Sequence, residues 1–274
     1  MQTHIDRETL LLVDGHVHLH DCFDIELLLD AALNNFQNVS QNNTAFFLAL
    51  TESKSQNYFQ RLYQLGLGNE DPKISLNSWK IELTNESCSL RARKSNTDIY
   101  IIAGRQIVTL ESLEVLALLT DETFIDGLTT EKTVHLVLQA GGIPVIPWGF
   151  GKWMGKRGRI LSKLLEFPIH GLFLADNSGR PIFWQEPKLF EQAQKHNIGI
   201  LNGSDPFPFK SEKERAGKAG FSIKGALDPQ KPASSLKKLL LHRHSSPQVY
   251  GALETPWRFL RNQIAIQYLK YLTK

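Results

Sequence analysis

An α/β fold, with its strands closed into a barrel, is what this sequence predicts, on three observations. Apolar strand, polar tip and helix follow one another repeatedly along the chain. About seven such strands can be counted, and right-handed crossovers either wind such units into an open sheet or close them. Neither a Gly-x-Gly-x-x-Gly after the first strand nor a Walker loop is present, so the nucleotide-binding open sheets lose their main signature and closure is favoured. The 274 residues suit a single domain spanning 1–274, since a barrel of about 250 residues is ordinary.

The first strand lies within residues 10–21, an unbroken apolar run that ends on Asp14, His16, His18 and His20. Asp24 is placed to cap a helix over 25–33. Residues 44–50 form a second buried strand ending on Thr51, Glu52 and Ser53, and a helix runs through 58–63. Short alternating runs at 78–83 and 88–93, divided by turn residues, predict a β-hairpin insertion over about 74–97. The parallel pattern resumes at 98–106 and 113–119, and a helix over 130–139 stops at Gly141 and Gly142. Strands follow at 143–146, 171–175 and 199–202, with helices at 159–166 and 186–196, the latter starting near Pro187 as a first-turn proline would. Residues 219–224 suggest a last strand. An amphipathic helix closes the chain over about 254–273, with Thr255 as N-cap and Pro256 in its first turn. Its stripe of Trp257, Leu260, Ile264, Tyr268 and Tyr271 is expected to pack on the barrel wall, or else to join copies of the chain.

Composition narrows the function classes. Hydrophobic content of 42% with 22% charged residues is that of a soluble globular protein, and no apolar run reaches the roughly 18 residues of a membrane span. The polar stretch 1–7 lacks the order of a signal peptide, so a cytoplasmic location is expected. Cys22 and Cys88 give no zinc-knuckle spacing and no disulfide framework, which leaves nitrogen and oxygen as the donors for any metal. A net charge of +3 does not by itself point to nucleic acid.

Side chains two apart on a strand point the same way, so His16 and His18 aim two imidazoles at one place, with Asp14 and His20 candidates for the same side. In a barrel the site gathers from strand tips at one face, here His16, His18, Glu52, Gln106, Asp176, Asn177 and Asp205. Asp205 is the preferred partner of the histidines because Gly203 and Ser204 let backbone approach closely, the competing reading being a turn-forming aspartate before Pro206. Asp21 and Asp24 read first as turn and cap residues. A glycine-rich loop carrying Lys152, Lys156, Arg157 and Arg159, with Arg105, Arg180 and Lys210 at other tips, predicts a positive funnel for an anionic small molecule, with Asn177 beside it. Nucleic acid on that loop, stacked on Trp153, is the weaker reading.

The motifs together resemble metal-dependent hydrolase barrels, and within them the polymerase-and-histidinol-phosphatase (PHP) family more than the amidohydrolases proper. Residues 14–18 are similar to the shared opening His-x-His motif, and residues 140–146 and 203–205 to later PHP strands. The resemblance covers about 10–225 and implies a (β/α)7-type TIM-like barrel and divalent metals acting on phosphoesters. Where the family carries Thr-Asp-His this chain has Thr51, Glu52 and Ser53, and where it carries Gly-x-Glu it has Gly104, Arg105 and Gln106. Pro147 and Trp148 stand for a His-Pro, and the terminal Asp-x-His is reduced to Asp205, Pro206 and Phe207. Only His16, His18 and Asp205 carry over as ligands of one divalent ion, whether zinc, manganese or iron, with Glu52 as a substitute. In that reading the ion lowers the pKa of a water towards about 7, and Asp205, with His18 and Glu52, supplies the catalytic side chains. The alternatives are a barrel that only binds an anion or serves as a scaffold, and an amidohydrolase-type C–N or C–O hydrolase.

Overall fold

The computed structural model describes residues 8–167, 169–242 and 246–272, the last four by backbone alone. The stretch 1–7 and the side chain of Tyr271 therefore lie outside the described residues. The opening apolar run forms β1 (Thr9–Val17), and Asp24 caps α1 (Ile25–Gln37) by accepting from the Leu27 N–H at 3.1 Å. β2 (Thr44–Leu50) and α2 (Tyr58–Gly66) repeat the unit. β3 (Lys80–Leu83), β4 (Ser89–Lys94) and β5 (Thr97–Ile102) then form an antiparallel meander, so the expected hairpin is present and extends the sheet at its edge.

The strand expected over 98–106 breaks at Ala103 and continues as β6 (Gly104–Val108) in a second sheet. β7 (Glu114–Leu118), α3 (Thr130–Gln139), β8 (Ile143–Pro147) and α4 (Gly155–Leu164) come next. They are followed by β9 (Phe173–Asp176), α5 (Lys188–Lys195) and β10 (Ile200–Asn202). Pro187 is the N-cap of α5 rather than a member of its first turn. After a 3-10 turn at Lys210–Arg215 the chain adds β11 (Gly220–Gly225), α6 (Pro232–Leu241), β12 (Gln248–Tyr250) and α7 (Pro256–Leu272). α6 and β12 are not among the predicted elements, although Pro232 at the helix start is a signal for the first.

The closed barrel is not formed. The strands make two open sheets, ordered β12-β11-β1-β2-β5-β4-β3 and β10-β9-β8-β7-β6. They meet at two seams without a continuous ladder: Glu52, just past β2, bridges Arg105 of β6, and the Asp205 N–H donates to the His16 carbonyl at 2.8 Å. The parallel strand expected at 113–119 is instead antiparallel to both its neighbours. Its link to β6 is a tight turn in which the Thr109 N–H donates to the Leu113 carbonyl at 2.8 Å, and so short a link can only join antiparallel strands.

Three apolar clusters follow from these sheets. Leu11, Val13, Phe47, Tyr100, Leu116, Val145, Leu201 and Phe221 interdigitate between them, while Leu12, Leu48 and Ile101 face outward under α1 and α2. Val115, Ile146 and Leu174 form the outer face of the second sheet beneath α3, α4 and α5.

α7 differs from its prediction. Trp257, Leu260, Ile264 and Tyr268 turn to solvent, Trp257 with 74% of its surface exposed, and do not pack on a wall. What holds the helix is charge: Arg258 reaches both Glu212 and Glu254 at 3.4 Å, Arg261 reaches Glu212 at 3.5 Å, and Arg215 pairs with Glu254. Glu212 and Glu254 are buried, so their orientation decides which face of α7 is covered, and Asn262 is the residue that ends buried. Among the described residues no helix is long and apolar enough to cross a membrane.

The seam at Ala103 depends on Gly104, where a Cβ would stand 2.4 Å from the Leu50 carbonyl and 2.8 Å from that of Ala117. Gly104→Ala is expected to lower stability by about 1–3 kcal/mol, the usual cost of overpacking, as a shift of the urea midpoint.

Candidate metal centre

Two strands and a turn assemble the site. The pairing of β1 with β2 shifts by one residue between Asp14 and Val17, which marks a β-bulge. Strict alternation would put Asp14 beside His16. The bulge instead leaves Asp14 on the side of the fold where Gly217 lies and turns the buried His16 imidazole towards that of His18, which lines the mouth between the sheets. At the end of β10, Gly203 lies so close to β1 that a Cβ there would sit 2.3 Å from the His16 nitrogen, so only glycine fits. The next two residues bring in the carboxylate of Asp205, whose backbone adopts a left-handed φ of 45°.

The geometry is that of three donors around one point. His16 Nε2 lies 3.1 Å from His18 Nε2, and Asp205 Oδ1 lies 3.6 Å from each. Donor atoms held 2.0–2.1 Å from one ion at tetrahedral angles stand ~3.3 Å apart, so these separations fit a shared divalent cation. Asp205 Oδ2 accepts from Asn177 Nδ2 at 2.6 Å, which fixes the carboxylate and leaves Oδ1 towards the imidazoles. The turn-forming reading of Asp205 is not what the side chain does.

The charge states suit ligation. Burial, with the neighbouring His16, pushes the His18 imidazolium down to about 3 against the pull of Asp205, so His18 is neutral at neutral pH. Burial acts to raise Asp205, but His16, His18, Lys152 and Arg215 outweigh it and hold the carboxyl below its ordinary value. The Nδ1 of His16 is buried without a hydrogen-bond partner.

Other predicted residues have different tasks. Asp14 is not in the cluster: its Oδ1 accepts from the Ser204 and His16 N–H groups at 2.8 and 3.3 Å and its Oδ2 from Gly217 at 2.8 Å. Burial pushes that carboxyl up to about 7 despite these bonds. His20 donates from Nε2 to the Pro206 carbonyl at 3.0 Å and accepts at Nδ1 from Gln56 Nε2 at 3.3 Å, so neither nitrogen is open. Asp21 accepts from the Tyr58 hydroxyl at 2.7 Å. Glu52 is not brought to the histidines either. One of its oxygens accepts from the first N–H groups of α2, at Tyr58 and, at 2.9 Å, Phe59, and the other lies 3.3 Å from Arg105.

The positive funnel is largely absent. Lys152 alone of the loop cations lines the mouth, paired with Glu114. Arg157 donates to the Gly151 carbonyl at 2.7 Å, and Lys156, Arg159 and Lys210 point to solvent. Arg105 donates to the Gln56 carbonyl at 2.7 Å, and Arg180 is engaged by Asp176 at 2.7 Å on the wall of a separate cavity. Trp153 is buried against Phe190, which removes it as a stacking platform.

The mouth itself is a cavity of about 680 Å³ containing His18 and Asp205. Beside Lys152 and Asn177 it is lined by Gln106 and by three side chains of α7, Gln263, Ile266 and Gln267. The contribution of α7 was missing from the sequence reading. Its trace is the four-residue spacing of Gln263 and Gln267, which puts the pair on one helix face.

No protein-family model matches the chain, and no curated protein matches it. Among solved structures, PsfC from Pseudomonas syringae PB-5123 superposes with a TM-score of 0.59 at 15% identity, over 96% of this chain and 99% of that one. The lesion-specific endonuclease PfuEndoQ from Pyrococcus furiosus gives 0.50 at 12% identity, over 87% of this chain. With both of these proteins the chain shares its fold. A two-domain protein from Bacteroides vulgatus ATCC 8482, containing a predicted PHP-like metal-dependent phosphoesterase, matches more loosely, at 0.47 and 14% identity over 89% of this chain. The chain spans 58% of the length of PfuEndoQ and 66% of the Bacteroides protein. At these identities the PHP likeness is one of architecture, so the site rests on its own geometry.

The Asp14 carboxylate predicts a measurable cost. Asp14→Ala orphans three buried N–H groups, and at about 1–3 kcal/mol for each unsatisfied group the variant is expected to lose at least 3 kcal/mol of unfolding free energy in urea.

Proposed function

We propose that this chain is a metal-dependent hydrolase of anionic small molecules, with phosphoesters the favoured class. One divalent ion, zinc, manganese or iron, would be held by His16, His18 and Asp205. The observation that carries the reading is the convergence of two imidazole nitrogens and one carboxylate oxygen within 3.1–3.6 Å. Bound there, the ion would supply Lewis acidity and a water of lowered pKa. Asn177 keeps the Asp205 carboxylate oriented, and the depressed pKa of Asp205 keeps it ionised, as a ligand to a cation must be. Burial keeps His18 a neutral donor. Lys152 places an ammonium at the mouth to receive the anionic group, the Glu114 pair holding it there.

A second reading, an anion-binding fold without turnover, is favoured by one observation. Glu52 is tied to α2 and Arg105, so the carboxylate that might have extended the ligand set is engaged elsewhere.

Metal analysis of the chain reconstituted after chelation is expected to give one ion per chain in the wild type and none in the His16→Ala/His18→Ala variant. Wild-type protein without metal would end the hydrolase reading. Inorganic phosphate at 100 times its dissociation constant should add about 2.7 kcal/mol to the loaded protein in thermal melts, and Lys152→Met should remove most of that gain. Phosphate binding without release of nitrophenol from p-nitrophenyl phosphate selects the second reading.

A further inference from the structure

We infer that the molecule taken at this mouth carries a single anionic group on a neutral body rich in hydroxyl or amide groups, and that α7 selects it through Gln263 and Gln267. The inference rests on the hydrolase reading and adds the class of substrate and the residues that choose it.

Charge sets the first limit. Among the described lining residues the one Lys or Arg is Lys152, and Glu114 already pairs with it. The acids are Glu114 and Asp205, so among the Lys, Arg, Asp and Glu side chains of the described lining there is no surplus of positive charge beyond what a metal would bring. A polyphosphate or a nucleic-acid strand would bring charges with no partners and leave them to be desolvated unpaired. One phosphoryl group facing the ion and Lys152 is matched.

The rest of the cavity is built for a neutral body. Carboxamides both donate and accept, which suits hydroxyl and amide groups of either polarity. Gln263 and Gln267 stand four apart on α7, with Ile266 between them, and among the described residues neither carboxamide has a hydrogen-bond partner. Trp148 and Phe150 supply flat apolar wall for the same body. About 680 Å³ lies within the range of sites for small molecules. The ion pairs of Arg258 and Arg261 with Glu212 place the helix before any ligand arrives, so the backbone positions of Gln263 and Gln267 are set and only their side chains remain to be ordered on binding.

The test uses the full chain loaded with Mn²⁺ and titrated with inorganic phosphate, ribose 5-phosphate and tripolyphosphate, with released phosphate assayed in the same samples. Ribose 5-phosphate should bind more tightly than phosphate, and tripolyphosphate no more tightly than phosphate. Gln263→Leu and Gln267→Leu should each weaken ribose 5-phosphate by about three- to tenfold, the worth of one hydrogen bond, while phosphate affinity stays within about twofold and reports an intact fold and metal site. Ribose 5-phosphate no tighter than phosphate, unchanged affinity in both variants, or preference for tripolyphosphate overturns the inference while leaving the hydrolase reading in place. Wild-type protein that binds none of the three overturns both.

Discussion

One buried carboxylate holds the two ends of this site together. Asp14 accepts from Ser204, 190 positions further along the chain, and from Gly217 beyond it, so β1 and the turn after β10 share a single hydrogen-bonding centre. The bond is made possible by glycines. A Cβ at Gly15 would lie 2.8 Å from the Asn202 carbonyl, and one at Gly203 would enter the His16 backbone. Such close approach of two strands without a ladder is otherwise unstable, because their backbone groups are only partly paired. The bulge in β1 completes the arrangement by giving Asp14 to the scaffold and turning His16 towards His18.

Electrostatics divides the molecule in a similar way. Charges used for structure are buried in pairs and networks: Arg180 with Asp176, Glu52 with Arg105, and Glu212 and Glu254 among three arginines. The last network reaches the site directly, since Arg215 also donates to the Ser204 carbonyl at 3.1 Å, one residue before Asp205. The helix that roofs the mouth and the turn that carries the ligand are thus tied to one guanidinium. Removing Glu254 would leave the buried Arg215 without its closest carboxylate, so the placement of α7 is set by this network together with the edge-to-face contact of Phe259 on Phe150.

How much of this could be read from the sequence follows the range of the interactions. Local signals held: the Asp24 cap, the hairpin after α2, and the helix opened by Thr255 and Pro256 lie where residue preferences put them. The convergence of His16, His18 and Asp205 was also legible, because a His-x-His at the end of a buried strand and an acid after Gly203 and Ser204 both mark tips of one face. The bulge was not, since Asp14 and His16 sit at the same spacing as His16 and His18 and nothing local separates them. The direction of β7 was not legible either: a tight turn after β6 reverses it, and apolar content alone does not distinguish a reversed strand from a parallel one. The loop cations misled for another reason: a count of Lys152, Lys156, Arg157 and Arg159 carries no direction, and a helix start sends three of the four away from the mouth.

The same accounting of charge bears on how many ions the site can hold. Two imidazoles, one of them held neutral by burial, and one carboxylate around a divalent cation leave the centre about one positive charge in excess, close to what a phosphoryl group on a small molecule answers. A second cation would need further carboxylates on the same side. Glu114 lines the mouth but is paired with Lys152, while the oxygens of Glu52 cap α2 and face Arg105, beside the neutral Ser53 and Gln106. Placing another ion there would set it against the Arg105 guanidinium with no ligand to offset the repulsion. On the proposed reading these residues suit a single ion, with Lys152 the one Lys or Arg among the described residues that line the cavity.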